Sequence, residues 1–494
     1  MFKKDKKENN NIDSQLTIDN LKNILMKSND VLLKEVAINK NIKGTLLFID
    51  GLVDSKSISE YIIEPLTQMP KFTESKTNIE VIKLIKEGVL TYSCQNKRST
   101  LKDTINDILS GNAALLFEGE SIAFTFDVKG FDKRNITEPT DENVIKGSRD
   151  VFVETLRVNT ATIRRKIKSP NLVFEEIVLG KQTQTSISIV YMSNIVNKQL
   201  LCELKKRLNK IQVDAVLSLN SIEDYIIDKK FSAFPQVVST ERPDKFCSNV
   251  VEGRVGLIID GIPISIIIPA TFIQFIQATE DYSQNYIISS ILRFMRIILI
   301  FTTLLLPGFY ISIISFHHEM IPIELALSIS ASDKGVPFPP FLEVILLLIA
   351  FEVLMEAGLR LPKSIGQAVS IVGAIVVGQA AVDAKLVSPA VVITIAVTAM
   401  SNYTVPNQDL SNALRLWRFI IAILSSILGL MGLSIGGLIL LYHLCSIECF
   451  GVPYLSPLVS GENEDFGDTL FRLPVYFLKN RPLTLNPSNK KRIG

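Results

Sequence analysis

The sequence predicts an α/β soluble domain built as a duplicated two-part unit, followed by an all-α membrane domain of several spans. Three observations lead there. Up to Arg293 the chain is charged and mixed like a soluble protein, whereas from Phe294 to about Leu444 it is dominated by Leu, Ile, Val, Ala and Gly. That second region is more apolar than a soluble core requires. Within the first region, β-rich runs followed by helix-like stretches occur twice.

Length and charge set the frame. At roughly 150 residues per domain, 494 residues allow about three domains. The 52 basic and 50 acidic residues nearly cancel, so the net charge of +2 points to no nucleic acid or other polyanionic partner. Cys94, Cys202, Cys247, Cys445 and Cys449 show neither a disulfide framework nor metal spacing. Cys445 and Cys449 flank the end of the last apolar stretch, where acylation or plain apolar filling are the alternatives.

Residues 1–30 read as a polar tail rich in Lys and Asn. The start, MFKKDKKENNNIDSQ, has no apolar h-region, so no cleavable signal peptide is expected and the α/β region belongs in the cytoplasm. Residues 31–145 and 146–290 form the two α/β subdomains. TLLFIDGLVD from Thr45 matches SIVYMSNIVN from Ser188, with Phe48 and Tyr191 143 positions apart. AALLFEGESIAFTFDV from Ala113 matches VGLIIDGIPISIIIPA from Val255, each a hairpin through a glycine turn, with Gly119 and Gly261 142 apart. Two matches at nearly one offset imply a unit of about 140 residues used twice. Between them, Asp150 to Ile167 has helical spacing and a basic end, and reads as a connector or docking helix.

No GxxxxGK[ST] or GxGxxG motif is present, and the three histidines, His317, His318 and His443, lie in or beside the apolar region. The α/β half thus lacks the usual general base, nucleophile pair or metal cluster, and no enzyme activity, cofactor or metal is expected.

Residues 291–445 form the helical domain and 446–494 a C-terminal tail. Spans are expected at Phe294–Ser315, Phe341–Leu361, Ser364–Val382, Val387–Asn402 and Trp417–Leu444. Arg293 and Arg296 hold the start of the first span inside under the positive-inside rule. Five spans would leave the C-terminal tail outside, yet that tail carries Arg472, Lys479, Arg481, Lys490, Lys491 and Arg492. Either His317–Pro340 crosses too or a short segment does not; both termini inside is the expectation.

The span EVILLLIAFEVLMEAGLRLP carries Glu343, Glu352, Glu356 and Arg360. Glu352, Glu356 and Arg360 are spaced i, i+4, i+8 and form one stripe at about 100° per residue. A charge at mid-bilayer costs about 2.5–3.5 kcal/mol, whereas each large aliphatic returns ~0.3–0.6. Alone such a helix inserts marginally, so the stripe must face protein or water. Two explanations stand: structural ion pairs within and between helices, or carboxylates lining a hydrated cation route.

In the next span Gly366, Ser370, Ala374 and Gly378 recur every fourth residue, a seam for close helix packing. Val372, Val376 and, slightly offset, Gln379 lie on the far side, facing either lipid or a narrow pore that gates by dewetting. GLSIG, Gly432 to Gly436, is a second small-xxx-small match.

These pieces resemble the A subunit of the spore germinant receptors, the Ger-type nutrient receptors of endospore-forming bacteria. The matching stretches are FPQVVSTERPDK, GRVGLIIDGIP, ATEDY, SFHHEMIP, VPFPP, EAGLRLPKSIGQ, IVGAIVVGQAAVDAKLVSP and FGVPYLSP, and the resemblance covers about residues 40–480. VETLRVNTATIRRKI departs from the usual pattern at the connector. The resemblance implies an integral protein of the spore inner membrane with a cytoplasmic α/β domain. It implies partners too: a transporter-like, nutrient-binding B subunit and a lipoprotein C subunit. It further implies a homo-oligomeric ring that releases monovalent cations when nutrient binds, with Val372 and Val376 as constriction candidates. The competing reading is a non-conducting scaffold or sensor, such as the related stage V sporulation AF protein. A secondary transporter would show inverted repeats among its spans, and none is visible.

Overall fold

The computed structural model describes residues 15–90, 95–130, 142, 147–360, 378–459 and 466–492, the side chains of 359 and 360 excepted. The chain divides into an α/β unit (Met1–Ile226, Ser239–Pro269 and Asn480–Gly494) and a helical unit (Ile227–Val238 and Ala270–Lys479).

In the α/β unit α1 (Ile18–Leu25) opens at Thr17, whose hydroxyl accepts from Asn20 N–H, and buries Leu21 and Leu25. The stretch read as a polar tail is therefore partly helical: its Leu16, Leu21 and Leu25 spacing forms an apolar stripe among the many lysines. Then follow β1 (Val31–Ala37), β2 (Lys43–Ile49), α2 (Asn78–Lys86), β3 (Gln95–Arg98), α3 (Leu101–Leu109), β4 (Ala113–Phe117) and β5 (Ala123–Phe126). The strands lie in the order β1-β2-β4-β5-β3. β4 and β5 are buried at every position because both faces are covered. Leu115, Phe117, Phe124 and Phe126 meet one apolar cluster, while Ala114, Leu116 and Ala123 meet another that includes α1 and α3.

The second half runs α4 (Leu156–Lys166), β6 (Leu172–Leu179), β7 (Thr185–Met192), α5 (Lys198–Leu208), β8 (Val238–Thr240), α6 (Pro243–Glu252), β9 (Val255–Ile259) and β10 (Ser265–Ile268). Its order, β6-β7-β9-β10-β8, is that of the first sheet. The register matches too: Leu47 pairs with Ala114, and Val190 pairs with Gly256. Both hairpins turn at a glycine with positive φ, +79° at Gly119 and +82° at Gly261, and neither would crowd a Cβ. The left-handed backbone, not space, calls for glycine there.

The basic end of α4 joins the halves. Arg164, only 1% exposed, gives Asp30 a bidentate pair at 2.9 and 3.0 Å and donates to Ser28 Oγ and the Leu172 carbonyl. Asn29 N–H donates to the Phe174 carbonyl at 2.8 Å. The C-terminal residues complete this unit: Ser488 N–H donates to Ile195 O, Arg481 Nε to Val251 O and Arg492 to Glu252.

In the helical unit α7 (Tyr286–Phe316) is followed by α8 (Ile323–Ser332) and α9 (Pro340–Arg360). After helical residues 378–383 come α10 (Pro389–Asn402), α11 (Gln408–Leu428) and α12 (Leu430–Cys445). Among the described residues, α7 and α11 are long and apolar enough to cross a membrane, and α8, α10 and α12 are shorter apolar helices. The span expected over Trp417–Leu444 is corrected: it is two helices. Gly429 breaks it with φ +63° and ψ −139°, backbone open essentially to glycine alone. α12 then packs back on α11, with Gly432 and Gly436 against Leu424 and Ile421. Most of the span expected at Ser364–Val382 lies outside the described residues.

Candidate functional site

α9 starts at Pro340, whose missing N–H suits a first helical turn. Its Val344, Leu347 and Leu348 are buried with Ile311 of α7, Val391 and Ile395 of α10 and Ala422 of α11. Glu352 follows Leu348 by one turn and so stands at the edge of this packing stripe, toward α11. Each of its oxygens is taken: Oε2 by Arg415 Nη1 and Oε1 by Arg418 Nη2, both at 2.7 Å. Arg415 and Arg418 are three apart on α11, hence on one face.

Two guanidiniums to one carboxylate leave a local charge of +1. Arg418 is 4% exposed, and the buried Nε atoms of both arginines have no partner among the described residues. Beside them lies a cavity of about 20 Å³ lined by Leu348, Phe351, Met355, Ile395, Ala399 and Asn402, room for roughly one water-sized molecule. Both arginines fall in the polar first half of α11, QDLSNALRLWR, ahead of its apolar run from Phe419. Glu352 is thereby set against the polar part of its neighbour.

Of the predicted stripe, Glu352 thus meets partners on another helix, Glu356 is exposed on α9, and the Arg360 side chain lies outside the described residues. Glu343 is buried and accepts from Ser388 N–H at 2.6 Å, its carboxylate at the N-terminus of α10. Of the seam and pore candidates, Gly378 is buried, a Cβ there lying 3.5 Å from Val392 Cγ1, and Gln379 is exposed. Val372, Val376, Gly366, Ser370 and Ala374 lie outside the described residues. Arg415 and Arg418 escaped the sequence reading, which began the last span at Trp417. Two cations three apart at the polar edge of an apolar helix were the available signal.

A second ionic cluster sits at the start of α7. Arg293, fully buried, reaches Asp281 at 3.3 Å and Asp468 at 3.0 Å; Arg296 also reaches Asp281, at 3.2 Å. Arg472 donates to the Asp281 and Gln284 carbonyls. The arginines counted by the positive-inside rule are thus paired, and residues 468–472 are tied to the first turns of α7. Among the described residues no group of three or more His, Cys, Asp or Glu is placed to hold a metal ion.

The sequence profile of the Bacillus/Clostridium GerA spore germination proteins matches residues 19–484. Spore germination protein KA of Bacillus subtilis is 39% identical over 94% of this chain and 86% of its own length. Spore germination protein B1 of the same organism is 38% identical over 97% of this chain and 99% of its own. Stage V sporulation protein AF of B. subtilis is 30% identical over 90% of each. The crystal structure of the N-terminal domain of the A subunit of the Bacillus megaterium spore germinant receptor GerK3 is 28% identical. It covers 53% of this chain and 99% of that chain, with a TM-score of 0.41. With a profile match and near full-length relatives agreeing, the chain belongs to the Bacillus/Clostridium GerA spore germination protein family.

Proposed function

We propose that this protein is the membrane subunit of a spore nutrient-germinant receptor in the spore inner membrane, and that copies of it assemble into a nutrient-gated channel for monovalent cations. The observation that carries the reading is its near full-length similarity to spore germination proteins KA and B1. A nutrient-binding B subunit and a lipoprotein C subunit complete the receptor. The repeated strand order and register support duplication of one α/β unit.

Several spans with both ends on the cytoplasmic side fit this role. α7 and α11 have the length and composition to cross. Phe272, ahead of α7, donates its N–H to the carbonyl of Tyr454, beyond α12, at 2.8 Å. A chain whose first helix starts where its last helix ends crosses an even number of times. Residues 480–494 rejoin the α/β unit, which fits the same count.

Val372, Val376 and Gln379 are the pore-lining candidates, and Gly366, Ser370, Ala374 and Gly378 the seam that closes the ring. Single-channel recording of reconstituted protein, with and without its partners, tests conduction: cation currents support it, and a tight bilayer with all three subunits and the nutrient present refutes it. Val376→Ala should give leaky, nutrient-independent current.

The second reading, a non-conducting scaffold or sensor, draws on the likeness to stage V sporulation protein AF. Lower identity to that protein than to KA or B1 favours the receptor reading.

A further inference from the structure

Residues Ile227–Val238 belong to the helical unit although the chain on either side of them belongs to the α/β unit. Within the helical unit this segment is firmly braced. Ser232 Oγ lies 2.9 Å from His443 Nε2 of α12. Phe234, 2% exposed, packs its ring at a tilt against His443, centroids 6.0 Å apart, and against Trp417 of α11, 6.4 Å apart. Asp228 accepts the Phe450 N–H, and Gln236 closes the loop on both backbone groups of Lys229.

At the tip of this braced turn Lys229, Lys230 and Phe231 point outward, and Phe231 is fully exposed, at 104%. The brace sets the level of the tip. Trp417 stands where α11 passes from polar to apolar, and His443 follows the apolar, exposed Leu438, Leu441 and Tyr442 of α12. An aromatic ring held wholly outside, flanked by two lysines and level with such a boundary, has the chemistry of an interfacial membrane contact.

We propose that the Lys229-Lys230-Phe231 turn is a membrane-surface anchor, Phe231 entering the boundary between headgroups and acyl chains while the two lysines bind the phosphates of anionic phospholipids. This rests on the reading of the helical unit as membrane-embedded. The anchor couples the position of Trp417 and His443, hence of α11 and α12, to the charge of the lipid surface.

The full-length chain has one tryptophan, Trp417, so an added one is read by difference. Phe231→Trp is reconstituted in phosphatidylcholine vesicles with and without phosphatidylglycerol, using lipids brominated near the headgroup. Leu438→Trp serves as the control. The added emission at 231 should be blue-shifted and quenched by shallow bromines, more so with phosphatidylglycerol. Lys229→Glu should weaken that dependence at least about fivefold, the effect of one lysine at an anionic surface. Quenching at 438 without quenching at 231 overturns the anchor and spares the membrane reading; loss of both overturns the membrane reading. A blue-shifted, unquenched tryptophan at 231, with Phe231→Cys cross-linking to a second copy, assigns the turn to a protein contact and overturns the proposal.

Discussion

Gly432 of α12 lies so close to Leu424 of α11 that a Cβ there would stand 2.0 Å from the Leu424 carbonyl oxygen. The obstacle is backbone, which no rotamer change removes. Gly437, five residues on, has nothing within 4 Å of a Cβ. Gly432→Ala should therefore loosen the helical hairpin by about 1–3 kcal/mol, whereas Gly437→Ala should be neutral or up to about 1 kcal/mol stabilising. Thermal melting of the two purified variants separates them, and equal melting would contradict the close packing.

Glu352 is the shared carboxylate partner of Arg415 and Arg418, so its loss strands both. Glu352→Ala should cost about 3–5 kcal/mol of stability, and pairing it with Arg418→Met should recover much of that. A double-mutant cycle on chemical stability measures the coupling; strictly additive effects would deny the ion pair. Reduced conductance of Glu352→Gln with stability unchanged would instead favour carboxylates along a hydrated cation route.

In the α/β unit Arg164 and Asp30 face each other almost without solvent. Removing either side chain alone should cost about 3–5 kcal/mol, because the other is left charged and buried. Arg164→Lys should rescue little, since one ammonium cannot reproduce the fork that spans both Asp30 oxygens. Faster amide hydrogen exchange at Asn29 and Phe174 is the local signature to look for.

Burial pushes the Cys247 thiol up to about 12. The thiolate is the reactive form, so Cys247 should resist alkylation at pH 8 while the exposed Cys202 labels readily. The sign for stability follows: the unfolded thiol ionises near its ordinary value of 9.0 and the folded one does not. The contribution of this group is thus complete below pH 9 and falls as pH climbs toward 12. Cys247→Ala should flatten that slope, and an unchanged slope would assign it elsewhere.

Legibility followed the range of the interaction. The hairpins at Gly119 and Gly261 were readable because a positive φ is a demand made within four residues. Their near-common offset was readable because the register it relates, Leu47 with Ala114 and Val190 with Gly256, is written in strand periodicity. The helix Ile18–Leu25 was not read, its two leucines and the preceding Leu16 being outnumbered in the first 30 residues by lysines and asparagines that a composition average counts equally. The Trp417–Leu444 span was read as continuous because hydropathy is blind to Gly429, an apolar-neutral residue whose backbone angle alone turns the chain.

By itself, then, the order of residues determined that an α/β architecture precedes an apolar helical one, since both follow from side-chain periods and run lengths. Only the folded chain decided that the carboxylate at 352 answers to Arg415 and Arg418, more than sixty positions away. Such pairings arise where helices distant along the chain share a face, and their energy depends on how many dihedrals are already held by packing elsewhere. The same holds for the return of residues 480–492 to the α/β unit, a choice made by Ser488, Arg481 and Arg492 against carbonyls and a carboxylate that no local pattern announces.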